Sequence, residues 1–236
     1  MMLNAWIAVL GLICATAQFT RADLAPIPSA GPETVWRADD FLAPGGAKAE
    51  VLGGPKILRD DAGSYAFFNG RTDGFVIPSA PLAGLRAFTV EVLLNPDPGG
   101  PQAQRFLHME DSEGRRLTME IRLTPAGRWA LDTFLLAGSS RRALLDEKLL
   151  HTSGGWHWVA LRYDGRTMES FVDGRKELDG RVDFTPMGPG RTAIGVRLNR
   201  IFWYRGAIRE IIIHPVALAG PSLQSAGGSP RAGRGP

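Results

Sequence analysis

The segment Arg197–Arg205 (RLNRIFWYR) sets three consecutive aromatic rings between arginines. In an extended chain neighbouring side chains alternate faces, so at least one of these rings must meet solvent. A solvent-facing Trp203 or Tyr204 would stack on the apolar face of a sugar ring. Arg200 and Arg205 would then take a carboxylate or sulfate with their planar guanidinium forks. Trp129, which follows a Gly-Arg turn, is a second aromatic candidate of the same kind.

Acid–base chemistry is harder to assemble. A retaining glycosidase needs two carboxylates on one face, and a strand supplies them at alternate positions. Met119–Leu123 (MEIRL) has Arg122 where the second acid would stand, and Phe88–Asn95 (FTVEVLLN) offers Glu91 alone. His108–Glu113 (HMEDSE) holds three acids, but Asp111-Ser112-Glu113-Gly114 is turn chemistry that would splay them into solvent. A lyase-type base would come from His108, His157, Tyr163 or Tyr204, yet no spacing links them. His157 alternates with apolar residues and reads as a partnered structural histidine; His214, before Pro215, reads as an exit turn. His108 and Glu110 share a strand face and provide two metal ligands without a third. No catalytic residue is assigned, and Glu110 and Glu120 are the carboxylates to test if the chain is an enzyme.

The elements that carry these residues are strands. In 236 residues there are 29 Gly and 17 Pro, 44% hydrophobic and 22% charged residues, and no long stretch with a helical apolar period. Gly, Pro and Asp-Gly recur about every ten residues, the spacing of a sandwich or barrel. The stretch Gly155–Glu177 (GWHWVALRYDGRTMESFVDGRKE) reads as a three-strand antiparallel meander, Trp156–Tyr163, Met168–Val172 and Arg175–Leu178. Its turns are Asp164-Gly165 and Asp173-Gly174, which accept positive φ. Trp156 and Trp158 there read as packing. Leu144–Leu150 (LLDEKLL) is either a helical turn or an irregular loop.

The ends differ from the body. Ala5–Ile13 (AWIAVLGLI) has the length of a signal-peptide apolar core, and Ala15-Thr16-Ala17 offers a cut before Gln18; Thr20-Arg21-Ala22 offers another. The organisation expected is a signal over 1–17, a linker over 18–33, one domain over 34–219 and a disordered tail over 220–236, in an exported protein. Cys14 is the single cysteine, so the mature chain would have no disulfide. The net charge is +3, of which Arg231 and Arg234 in the tail supply +2, so no concentrated basic face for nucleic acid is expected.

Three segments, in order, resemble the laminin G-like (concanavalin A-like) jelly-roll superfamily. Phe68–Pro78 (FNGRTDGFVIP), followed by Phe88–Asn95, is similar to F-D-G-x-x-D-Y-V-x-I-P and F-T-x-x-x-W-V-x-P. Trp156–Gly174 is similar to W-H-H-V-A-x-x-Y-D-G…x-Y-V-D-G, and Tyr204–Leu218 (YRGAIREIIIHPVAL) to F-x-G-x-I-D-E-V-x-I-Y-x-x-A-L. The resemblance implies an all-β, two-sheet antiparallel jelly-roll β-sandwich with its first and last strands adjacent. It also implies that Tyr204 is core, which leaves Trp203 as the binding aromatic. Relatives of this kind bind calcium with rim oxygens, and here Asn69 and Asp73 are the positions that would do so, or else Asn69-Gly70 and Asp73-Gly74 only make turns. The superfamily contains lectins, adhesive modules, glycosidases and lyases. The function expected is a carbohydrate-binding module without catalysis, the alternative being a protein-interaction or adhesive module of the cell envelope. A divergent glycosidase or lyase stands behind both.

Overall fold

The computed structural model describes residues 31–224. The expected signal, most of the linker and the end of the tail lie outside the described residues. Among the described residues sixteen strands follow one another with three short 3-10 turns among them. The first five are β1 (Thr34–Arg37), β2 (Glu50–Leu52), β3 (Lys56–Asp60), β4 (Gly63–Asn69) and β5 (Gly74–Ile77). The long middle strands are β6 (Phe88–Pro96), β7 (Ala103–Asp111), β8 (Arg116–Leu123) and β9 (Arg128–Ala137), then β10 (Ser140–Leu145) and the short β11 (His151–Thr152). Last come β12 (His157–Tyr163), β13 (Thr167–Val172), β14 (Arg175–Arg181), β15 (Gly190–Ile194) and β16 (Arg205–His214).

They form two eight-stranded sheets. Sheet A runs β14-β13-β12-β6-β16-β4-β3, with β1 also on β16; sheet B runs β10-β9-β8-β7-β15-β5-β2, with β11 on β9. All ladders between these strands are antiparallel, and β1 beside β16 closes first strand onto last, as the resemblance implies. The core lies between the sheets and follows the period of two. Phe88, Val90, Val92 and Leu94 of β6, and Leu117, Met119 and Ile121 of β8, are each fully buried in it.

The meander forms as the spacing predicts: β12 pairs with β13 and β13 with β14. Asp173 (φ 50°) and Gly174 (φ 76°) occupy the left-handed conformations of its second turn. Leu144–Leu150 is neither helix nor all loop, because its first two residues end β10. Leu223 packs on Ala160 and Phe171, and the Gln224 N–H donates to Glu91 Oε1 at 2.7 Å, so the segment after β16 covers half of the outer face of sheet A.

Candidate functional site

The uncovered half of that face holds an open hollow of about 350 Å³. Alternation along β4 buries Ala66 and Phe68 and turns Tyr65 and Phe67 outward. Next to them β16 contributes the floor, the backbone of Gly206 and the small side chain of Ala207. Gly206 has φ 141°, and a Cβ there would come within 2.6 Å of the Tyr204 hydroxyl oxygen, so no larger residue fits. The Gly154 N–H donates to Pro96 O at 3.0 Å and holds the loop before β12 against this floor. Trp156 therefore stands over sheet A, edge-on to Tyr65 with ring centroids 5.7 Å apart. Arg209 lies 4.4 Å from the Trp156 ring centroid and pairs with Asp60 at 2.6 Å. That hydrogen bond holds the Asp60 carboxyl below its ordinary range. Asn95 and Asp97 complete the wall.

The outer face of sheet B gathers ionisable groups instead. Glu120 of β8 and Asp132 of β9 are direct cross-strand partners, and Glu120 also faces Arg105 of β7. Asp132 Oδ2 accepts from Arg122 Nε at 2.9 Å and Nη2 at 2.6 Å. Glu120 Oε2 lies 3.2 Å from Arg105 Nη2 and 3.4 Å from Arg122 Nη2, yet at angles that close no hydrogen bond. Burial, and then each carboxylate's neighbour, set these groups: burial followed by the Asp132 charge raises the Glu120 pKa, and burial raises that of Asp132 against the pull of Arg122. His108, 1% exposed, is held neutral, its pKa lowered to about 3 by burial and then by Arg197, Arg116 and Arg105. Its Nε2 lies 3.5 Å from Glu110 Oε2, so His108 and Glu110 do share a face. Among the described residues no group of three or more His, Cys, Asp or Glu is placed to hold a metal ion.

The aromatic segment bridges the two regions. It is not extended: Arg200 (φ 61°) and Phe202 (φ 60°) are both left-handed and fold it as a loop over sheet B. The ring that meets solvent is Phe202, 40% exposed and stacked 4.0 Å from the Arg105 guanidinium. Trp203 instead packs, half-buried, on Leu52, Val76, Ala193 and Val196. Arg200 pairs with Glu50 at 2.6 Å, while Arg205, on the other side of buried Tyr204, pairs with Asp97 at 3.2 Å beside the hollow of sheet A.

Trp129 corrects the sequence reading: it is fully buried, donates Nε1–H to Thr152 O at 3.0 Å and has no face for a ligand. Asn69 Oδ1 accepts the N–H groups of Arg71 and Thr72, and Asp73 accepts those of Gly54 and Asn69, so both residues close turns. Asp111 does not splay outward either. It is buried and accepts N–H groups from Glu113, Arg115 and Gly188 as well as the Arg115 side chain. Trp156, Tyr65 and Phe67, which line this hollow, are not among the candidates the sequence offers, Trp156 because it reads there as packing.

Comparison with solved structures shows the same sandwich. Domain 4 of a GH43 extracellular arabinanase from Geobacillus stearothermophilus, solved with arabinotriose, matches at TM-score 0.59 and 18% identity over 81% of this chain and 96% of that one. A heptameric SAP-like pentraxin from Limulus polyphemus matches at TM-score 0.54 and 14% identity, over 66% and 77%. The binding domain of botulinum neurotoxin serotype G matches at TM-score 0.58 and 9% identity, over 75% of this chain and 45% of that one. No curated protein sequence matches. A laminin G family model spans residues 69–224, from the turn after β4 to the segment that covers sheet A, and by that match the chain belongs to the concanavalin A-like lectin/glucanase superfamily.

Proposed function

We propose that the chain is an exported, non-catalytic module that binds carbohydrate in the hollow of sheet A. The observation that carries this reading is the pairing of half-buried Trp156 and Tyr65 on the wall of an open hollow with Asp60, Asn95 and Asp97 beside them. Apolar ring faces next to a few oriented polar groups are what a sugar needs, with its own apolar face and its ring of hydroxyls. The arabinanase domain solved with arabinotriose lends support at the level of the fold. The non-catalytic part rests on sheet B: its two neighbouring carboxylates are buried and engaged by arginine, and the hollow does not open onto them.

The test is a panel of neutral and acidic polysaccharides offered to the full chain by affinity electrophoresis, in calcium and again in chelator. Retention by at least one glycan class is expected, equal in both buffers because the Asn69 and Asp73 oxygens serve backbone N–H groups. Trp156→Ala should abolish that retention without unfolding the protein. A flat panel from folded protein would overturn the proposal. It would favour the protein-docking reading, for which β3 offers an exposed sheet edge carrying Ile57 and Leu58.

A further inference from the structure

A second hollow, of about 520 Å³, opens where the free edges of the sheets approach each other. β10 is the outermost strand of sheet B and β14 that of sheet A, and the two are in contact. Two hydrogen bonds tie the edges together. Arg142 Nε donates to Arg181 O at 3.1 Å, and the Asp183 N–H donates to Ser140 Oγ at 3.0 Å. Gly180 lets the arginine lie close, since a Cβ there would meet Arg142 Cδ at 3.0 Å.

Four arginines line this hollow, Arg141, Arg142, Arg166 and Arg181, against a single carboxylate, Asp183. Among the described residues none of the four has a carboxylate within ion-pair distance, whereas Arg115, Arg122, Arg200, Arg205 and Arg209 each do. Arg71, Arg86, Arg128, Arg175, Arg191 and Arg197 also lack an ion-pair partner among the described residues, so what distinguishes these four is that they line one hollow together. Guanidinium forks beside the Ser139 and Ser140 hydroxyls match the oxygens of a sulfate or carboxylate.

We propose that this hollow binds the sulfate or carboxylate groups of an acidic polysaccharide. The inference rests on the reading of the chain as a carbohydrate binder and names its ligand class. No aromatic ring lines the hollow, so a nucleic acid would find charge but no stacking platform for its bases. The site is exposed, so its contribution is strongly salt-dependent.

Retention of the full chain is measured on dextran sulfate, polygalacturonate, neutral dextran and single-stranded DNA, over a range of salt. Arg141→Ala with Arg166→Ala removes two guanidinium groups that make no hydrogen bond within the described residues, so the fold is spared. Arg71→Ala with Arg86→Ala removes the same charge outside the hollow. The expected result is retention on dextran sulfate or polygalacturonate that falls about tenfold or more in the first variant and less than about twofold in the second, with a shallower salt dependence in the first. Which polymer is retained decides between sulfate and carboxylate. Equal losses in the two variants, or DNA held as tightly and lost in the same way, would overturn the proposal. Neutral glycan bound by Trp156 with no preference for acidic ones would also overturn it while leaving the hollow of sheet A standing. Acidic retention that survives Trp156→Ala but not the arginine variant would support this site and remove the other.

Discussion

The outer faces of the two sheets are built on the same pleat and treat their side chains in opposite ways. On sheet B the ionisable residues are paired with one another in part: Arg122 binds Asp132, Arg105 lies over Glu120 without a hydrogen bond to its Oε2, and Phe202 caps Arg105. On sheet A the segment through Leu223 covers one half, and the other half leaves Tyr65, Phe67 and Trp156 around an open hollow. Charged groups drawn out of water are stabilised by partners, because an unpaired buried charge costs several kcal/mol, and the pairing of Arg122 with Asp132 answers that cost. Half-buried rings incur no such cost, and their unfilled contacts remain for a ligand. In the proposed function the residues most suggestive of catalysis serve the sandwich, and less conspicuous ones serve binding.

Separating stability from binding would sharpen this contrast. The largest effect is expected from Arg122→Ala, which leaves the Asp132 carboxylate buried without its guanidinium. Denaturant titration should show a loss of about 3 kcal/mol, with glycan retention unchanged. The next is a pH effect at His108. Its folded pKa of about 3 lies below the ordinary 6.5, so between those values the unfolded chain binds a proton that the folded chain refuses. Stability is fully present above pH 6.5 and falls on acidification by about 1.4 kcal/mol per unit, or about 2 kcal/mol at pH 5. Glu120 and Asp132 work the other way, since their raised pKa values make the folded chain bind protons first and add stability as pH falls through them. The difference between wild type and His108→Gln isolates the histidine, and a variant whose profile between pH 7 and 5 matches wild type would remove it from the account.

Trp156→Ala comes third, with a loss of glycan affinity of at least tenfold, about 1.4 kcal/mol, and little change in thermal midpoint. If it unfolds the protein instead, Trp156 is packing and the contrast between the faces fails. The smallest effect belongs to Phe202→Ala, which removes one exposed cation–π contact and should cost about 0.5–1 kcal/mol of stability with no change in binding.

The fold was legible because turn chemistry and alternation are local. Asp164-Gly165 and Asp173-Gly174 announce the meander, and the alternation around His157 places its neighbours on the faces they occupy. Sites depend on register between strands, and that is where local reading stopped. Along its own strand MEIRL lacks a paired acid, because Arg122 stands where that acid would be. The second carboxylate is Asp132, opposite Glu120 across the β8–β9 hairpin, in the same register that pairs Leu123 with Trp129. That register also buries Trp129, which its place after a turn had suggested was exposed. Tyr65 and Trp156 stand far apart in sequence and meet only because β4, β16 and β6 lie side by side. Arg200–Tyr204 misled for another reason: two left-handed residues break the alternation that would have aimed Trp203 outward.

The most direct measurement compares Trp156→Ala with Trp203→Ala, both shown to be folded, on the glycan that the full chain retains best. Loss in Trp156→Ala with wild-type retention in Trp203→Ala is the predicted result, placing the ligand on sheet A. Undiminished retention in Trp156→Ala, or loss in Trp203→Ala alone, would contradict it and move the site to the loop over sheet B.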